Sequence, residues 1–206
     1  TTTAPIMGSI VVYMDYTNAG LTCTSLKDTF NYVVNPTAVV NPINDQVLCN
    51  GSTTAAISFS TTATGGILTY NWTNNNTSFG LAASGTGNIA SFNAINNTNA
   101  PQIATITVTP VFTNGGVSCT GTAMNFTITV NPEMIVNAIS SQVLCNNAST
   151  TAVNFASPTT GGTIVYNWTN SNTAIGLGAN GTGNIASFTA TNSSNAPVSG
   201  TITVIA

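Results

Sequence analysis

Charge is nearly absent from this sequence. In 206 residues there is one Lys, no Arg, no His and four carboxylates. A globular chain is ordinarily about a quarter charged; this one is 2% charged. Phosphate neutralisation needs several cations, so nucleic acid is excluded as an expected partner, and so is electrostatic docking on an anionic membrane. Long apolar runs are missing too: no stretch of about 18 apolar residues occurs, so no membrane insertion of this segment is expected.

Catalytic groups are equally scarce. General acid–base work needs a positioned His, paired carboxylates or a tuned Lys. Asp15, Asp28, Asp45 and Glu133 never fall within ten residues of one another, so no dyad or alternating calcium loop forms. No His and no CxxC pair is present, which argues against zinc. The expectation is a chain that is not an enzyme, with no catalytic residue, no metal and no cofactor.

What remains is a neutral polar chain that is nonetheless 42% hydrophobic. Disorder combines low hydrophobicity with high net charge and does not fit. Solubility must come from neutral hydrogen-bonding groups, chiefly Thr, Ser and 29 Asn.

The sequence repeats. Shifted by 96 residues, positions 38–110 and 134–206 are identical at 41 of 73 places without a gap. "YNWTNNNT" faces "YNWTNSNT", and "GTGNIASF" recurs unchanged at Gly85–Phe92 and Gly181–Phe188. Residues 1–37 match 97–133 at 14 places and keep Cys23, Phe30 and Asn35-Pro36 in register. Three divisions follow: 1–37 as the carboxy-terminal part of a repeat (strands F and G), 38–133 as one complete repeat, and 134–206 as the first three quarters of another. The partial ends read first as a window cut from a longer array in which the missing strands exist; the sharper alternative is that the amino-terminal hairpin of one molecule completes the last repeat of the next. "VNP" at Val34–Pro36 and Val130–Pro132 marks the linkers, where proline holds its predecessor extended.

Within the unit the hydrophobic period is two, with no helical period. Met124, Phe126, Ile128 and Val130 alternate with polar residues, and so do Ile57 and Phe59. Leu68, Tyr70 and Trp72 share a face, as do Ala90, Phe92 and Ala94, and Ala104, Ile106 and Val108. Turn signals "TGG", "SGTGN" and "TNGG" separate them. Six or seven short strands in about 96 residues predict an all-β fold of Greek-key antiparallel sheets packed as an Ig-like sandwich.

Taken together, "QVLCNG", "YNWT", "SGTGNIASF" and "CTGT…FTITVNP" resemble the PKD-like repeats of very large surface proteins from the Bacteroidetes group. The resemblance covers the whole chain, although Thr24–Pro36 departs from the pattern of the following unit. It implies secreted, extracellular cell-surface adhesins, among them gliding-motility adhesins, exported by the type IX route.

Cys23, Cys49, Cys119 and Cys145 keep the same 96-residue spacing, so each complete unit has one early and one late cysteine. Even, periodic cysteines in an exported chain suggest disulfides. Cys49 with Cys119 is the pairing internal to a complete unit, with Cys23 and Cys145 pairing beyond the chain. Against it, the first and last loops of an Ig-type sandwich lie at opposite ends. Pairing of Cys49 with a following unit's late cysteine, and four free thiols, stay open.

"GTGNIA" matches a dinucleotide fingerprint, but that motif requires a helix after it, and a strand pattern follows here. Gly85, Gly87, Gly181 and Gly183 are read instead as turn glycines with positive φ. Trp72 and Trp168, set between Tyr and Thr in an apolar strand, read as core rather than as sugar platforms. With Tyr70, Phe92, Phe126, Tyr166 and Phe188 they form the expected structural core. Linked sandwiches contact mainly their neighbours. The functional expectation is therefore a stalk segment of rigid spacers whose partners are neighbouring repeats of the same chain. The alternatives are binding of surface polysaccharide or other adhesin subunits, and an ice- or mineral-binding face.

Overall fold

The computed structural model describes residues 2–206. It contains thirteen strands: β1 Ile6–Val12, β2 Asp15–Asn18, β3 Leu21–Thr24, β4 Asp28–Val34, β5 Gln46–Cys49, β6 Ile67–Asn74, β7 Ser84–Thr86, β8 Gln102–Asn114, β9 Val117–Thr120, β10 Met124–Asn131, β11 Asn167–Asn170, β12 Asn180–Thr182 and β13 Ile202–Ile205. A single 3-10 turn, Thr173–Ile175, is the one helical piece among the described residues. The fold is all-β, its sheets antiparallel apart from the parallel approach of the segments at Val39 and Thr122, and its strands group into two compact units.

The first unit comprises the chain through Ile95 together with Ile103–Thr129. Its main sheet has the order β5-β10-β8-β6-β7, with β9 added along β8. The period-2 pattern builds it: in β8, Ala104, Ile106, Val108, Pro110 and Phe112 point inward and are buried, while the residues between them are only half-covered. Opposite, Trp72 of β6 stands level with Val108 and Tyr70 with Pro110. A second, less regular layer covers this face. Ile57 and Ile89 exchange backbone hydrogen bonds of 2.9 and 3.0 Å, and Thr53 bridges Asn93. Between the layers lie Phe59, Trp72, Phe79, Leu81, Ile106 and Phe126, all buried. Tyr70 and Phe92 are half-buried at the margin, each against a core phenylalanine: Phe59 at 5.6 Å and Phe79 at 5.9 Å between ring centroids.

The irregular layer departs from the sequence expectation at one point. Ala90, expected to share an inner face with Phe92 and Ala94, is exposed, and Ile89 takes the inward place. The backbone there makes two isolated bridges rather than a continuous ladder, so strict alternation of faces does not hold.

Ahead of this sandwich β1 pairs with β4 from Ile6↔Val34 to Val12↔Asp28, and β2–β3 extend the hairpin to its tip. These four strands sit 96 positions before β8, β9 and β10. Every residue of β1 and β4 is exposed, including Met7, Val11, Phe30, Tyr32 and Val34.

The second unit comprises Asn96–Gln102 and the chain from Val130. Its sheet is β12-β11-β13, with Trp168 level with Gly181 on one side and Val204 on the other. Val153 and Ile185 bridge as their equivalents do in the first unit. Phe155, Trp168 and Ile185 form the core, with half-buried Tyr166, Leu177, Phe188 and Val204 around it. This sheet has no counterpart of β10. Correspondingly, Gln142–Cys145, the same QVLC sequence as β5, forms no strand, and Val143 is 99% exposed.

Candidate functional site

Each tryptophan is held by a glycine. A Cβ built on Gly85 would lie 2.2 Å from Cζ2 of Trp72, and one on Gly181 would lie 2.3 Å from Cζ2 of Trp168. The first glycine of each "GTG" is thus a gap into which the indole lies. This corrects the reading of Gly85 and Gly181 as positive-φ turn residues: only Gly87 (φ 71°) and Gly183 (φ 70°) have that conformation. A strand residue facing a large ring needs space, whereas the residue that reverses the hairpin needs the left-handed region. The indole nitrogens of Trp72 and Trp168 are buried without a hydrogen-bond partner, which sets both rings in apolar packing. Asn74 and Asn170, two residues on, are buried and satisfied: Asn74 Nδ2 donates to the carbonyls of Leu81 and Ala82, and Asn170 Nδ2 to those of Asn172 and Leu177.

The cysteines do not meet. All four are free; Cys23, Cys49 and Cys145 are exposed and Cys119 is half-buried. The expected Cys49–Cys119 bridge is incompatible with the sheet. Val39 bridges Thr122 in parallel, and Asp45 Oδ1 accepts from the Thr127 amide at 2.6 Å. The two segments therefore run side by side in one direction. Cys119 lies three residues before Thr122 and Cys49 ten after Val39. That offset amounts to roughly 40 Å along extended chain, against the 7 Å or so that a disulfide allows between Cα atoms.

The outer face of the sheet is a lattice of neutral polar side chains. In the first unit Asn71 stands between Thr86 and Thr109, and Thr73 between Ser84 and Thr107. In the second, Asn167 stands between Thr182 and Ile205, and Thr169 between Asn180 and Thr203. Strand spacing sets neighbouring groups within each row about 4.8 Å apart. The central residues of the rows are exposed, so hydroxyl and amide groups are presented in register without a charge among them.

A third repeated feature joins loop to turn. Within the first unit the Thr64 amide donates to the carbonyl of Thr3 at 2.7 Å, and the Pro5 ring covers Gly65, where a Cβ would fall 2.9 Å from Pro5 Cδ. Within the second, the Thr160 amide donates to the carbonyl of Asn99 at 2.7 Å, and Pro101 covers Gly161, with a Cβ 2.6 Å from Pro101 Cδ. Both glycines have φ near +84°. Sequence reasoning marked "TGG" as a turn but missed its partner. The signal was available, since an Ala-Pro pair recurs at residues 4–5, 100–101 and 196–197.

One open concavity of about 500 Å³ lies in the first unit among Val33, Val34, Asn35, Asn114, Val117 and Cys119. There Asn114 Nδ2 donates to Asn35 Oδ1 at 2.9 Å. Among the described residues no three of His, Cys, Asp and Glu gather as metal ligands. The lone cation, Lys27, stands 5.8 Å from the Tyr13 ring centre. Compared with known protein families and with curated proteins, the chain matches no family model and no curated protein.

Proposed function

We propose that this chain is a segment of the shaft of a long extracellular adhesin or filament at a bacterial cell surface, its repeats serving as rigid spacers. The observation that carries the reading is the constancy of the 96-residue offset. β11 and β12 stand 96 positions after the same stretches of β6 and β7, and the isolated bridges Thr53↔Asn93 and Ile57↔Ile89 recur as Ser149↔Thr189 and Val153↔Ile185. The loop-to-turn contact recurs at the same offset. A unit that repeats its packing and its turn contacts alike is suited to extension rather than to chemistry. Gliding-motility adhesins of type IX secretion are the specific kind to which the PKD-like resemblance points, and the reading leaves catalysis out.

The Thr/Asn rows favour a second reading, direct binding of polysaccharide by the outer sheet face. Binding of the 206-residue chain to a glycan array separates the two: a spacer leaves the array blank, and retention on any glycan at micromolar chain overturns the spacer reading. Thermal hysteresis in the same sample would point instead to an ice-binding face.

A further inference from the structure

A short stretch of the repeat 38–133 belongs to the unit that follows it. The first unit holds the chain through Ile95 and takes it up again at Ile103, while Asn96–Gln102 group with the chain from Val130 onward. Both ends of this excursion are pinned in the first unit. The Ile95 amide donates to the Phe79 carbonyl at 3.1 Å, and the Ile103 carbonyl accepts from Asn76 Nδ2 at 3.2 Å.

Between those pins the excursion is stiffened by its own side chains. Asn96 is buried, and its Nδ2 donates to the carbonyls of Ala100 at 2.9 Å and Val130 at 2.7 Å. Its Oδ1 accepts from the Thr98 amide at 2.9 Å. Thr98 Oγ1 lies 2.8 Å from both Asn96 Oδ1 and the Ala100 carbonyl, and Gln102 Nε2 donates to it at 3.2 Å. The segment so held meets the second unit: the Asn99 carbonyl accepts from the Thr160 amide, and the Pro101 ring covers Gly161. A segment already fixed by local bonds loses little conformational entropy in that packing. Val130 is fully buried, so its carbonyl cannot turn to water for a substitute when the Asn96 donor is removed.

We propose that Asn96–Gln102 is an arm through which the repeat 38–133 stabilises the second unit, with Asn96 and Pro101 as its positioning residues. Opening of the second unit must then break the contacts of the arm as well as its own core. The folding of one repeat is thereby tied to side chains of the repeat before it, the interface term of a linear array. Thr3 and Pro5 meet Thr64 and Gly65 in the same way inside the first unit, so the device occurs twice in this chain. The inference rests on these contacts alone and holds whether the repeats act as spacers or as a binding surface.

The two units carry matched reporters for a test. Ile57 and Ile89 exchange backbone hydrogen bonds in the first, and Val153 and Ile185 do so in the second. Native-state hydrogen exchange at these four amides reads the opening of each unit separately. In the 206-residue chain, Asn96→Ala should speed exchange at Val153 and Ile185 on the order of tenfold and leave Ile57 and Ile89 unchanged, although Asn96 lies in their repeat. Pro101→Ala removes the ring without touching a buried hydrogen bond; it should act in the same direction and more weakly. Pro5→Ala should reverse the pattern, speeding Ile57 and Ile89 while sparing Val153 and Ile185. The two proline variants decide the matter if Asn96→Ala loses its native spectrum. If the arm variants speed Ile57 and Ile89 as much as Val153 and Ile185, or speed neither pair, the proposal is overturned.

Discussion

Trp72 packs against Gly85, so close that a methyl group on the glycine would sit 2.2 Å from the indole. Gly85→Ala must therefore displace a buried ring, and overpacking of this kind costs about 1–3 kcal/mol. Gly87→Ala meets open space and bears only the strain of φ 71°, about 1–2 kcal/mol. Urea unfolding of the two variants should rank Gly85→Ala as the more damaging. Equal losses would mean that the ring moves aside freely.

Trp72 itself is buried with its indole N–H unpaired. Trp72→Ala should cost about 3–5 kcal/mol through the cavity it leaves. Trp72→Phe keeps a ring and discards a donor that makes no bond, so its loss should be well under half of that. If Phe proved as damaging as Ala, the N–H would have to be engaged in solution, and a slowed indole exchange signal would reveal it.

The separation of Cys49 from Cys119 carries its own measurement. All four thiols should react with a thiol reagent in unreduced native chain, and reductant should leave the melting temperature unchanged. A Cys49–Cys119 disulfide recovered by peptide mapping of a monomeric sample would contradict the parallel pairing of the Val39 and Thr122 segments.

Tyr70 is the titrating group with a resolved change: desolvation at the core margin raises its phenol above the ordinary value of 10.0. The folded state therefore holds the phenol proton to higher pH than the unfolded chain does. Its contribution to stability is fully present below pH 10 and is lost as pH climbs through the raised value. Tyr70→Phe should remove that alkaline loss, read as a melting temperature that declines less between pH 9 and 11. An unchanged decline would place the phenol in solvent.

Much of this was legible in the residues, for identifiable reasons. Strands with one buried face, such as Met124–Asn131, declare themselves by alternation, and the 96-residue repeat marked which segments share one pattern. The tryptophans were readable as core because apolar neighbours flank them at period two. What failed was whatever depended on the path between elements. The Cys49–Cys119 distance follows from parallel pairing of the first and last segments, which spacing does not encode. The role of Gly85 follows from a ring thirteen residues earlier in the chain. Ile89, not Ala90, faces inward because its layer is held by bridges rather than by a ladder.

One sequence occurs in two environments, and this supplies the last prediction. Gln46–Cys49 is a strand beside β10, while the identical Gln142–Cys145 lies in a unit with no such neighbour and is not a strand. The local side-chain bonds are the same: Gln46 Oε1 accepts from the Ala55 amide and Gln142 Oε1 from the Thr151 amide, each at 2.9 Å. Intrinsic propensity is therefore held constant, and strand formation here is the work of the partner edge. Hydrogen exchange should find the Val47 and Leu48 amides protected and those of Val143 and Leu144 exchanging near the rate of an open chain. Equal protection at both places would mean that a strand from elsewhere has filled the empty position. The exposed β1–β4 hairpin of a second molecule, whose β4 stands in register with β10, has the edge and the apolar residues to do so. Protection that rises with chain concentration at Val143, and falls when Thr1–Pro36 is deleted, would identify that exchange; protection independent of concentration would exclude it.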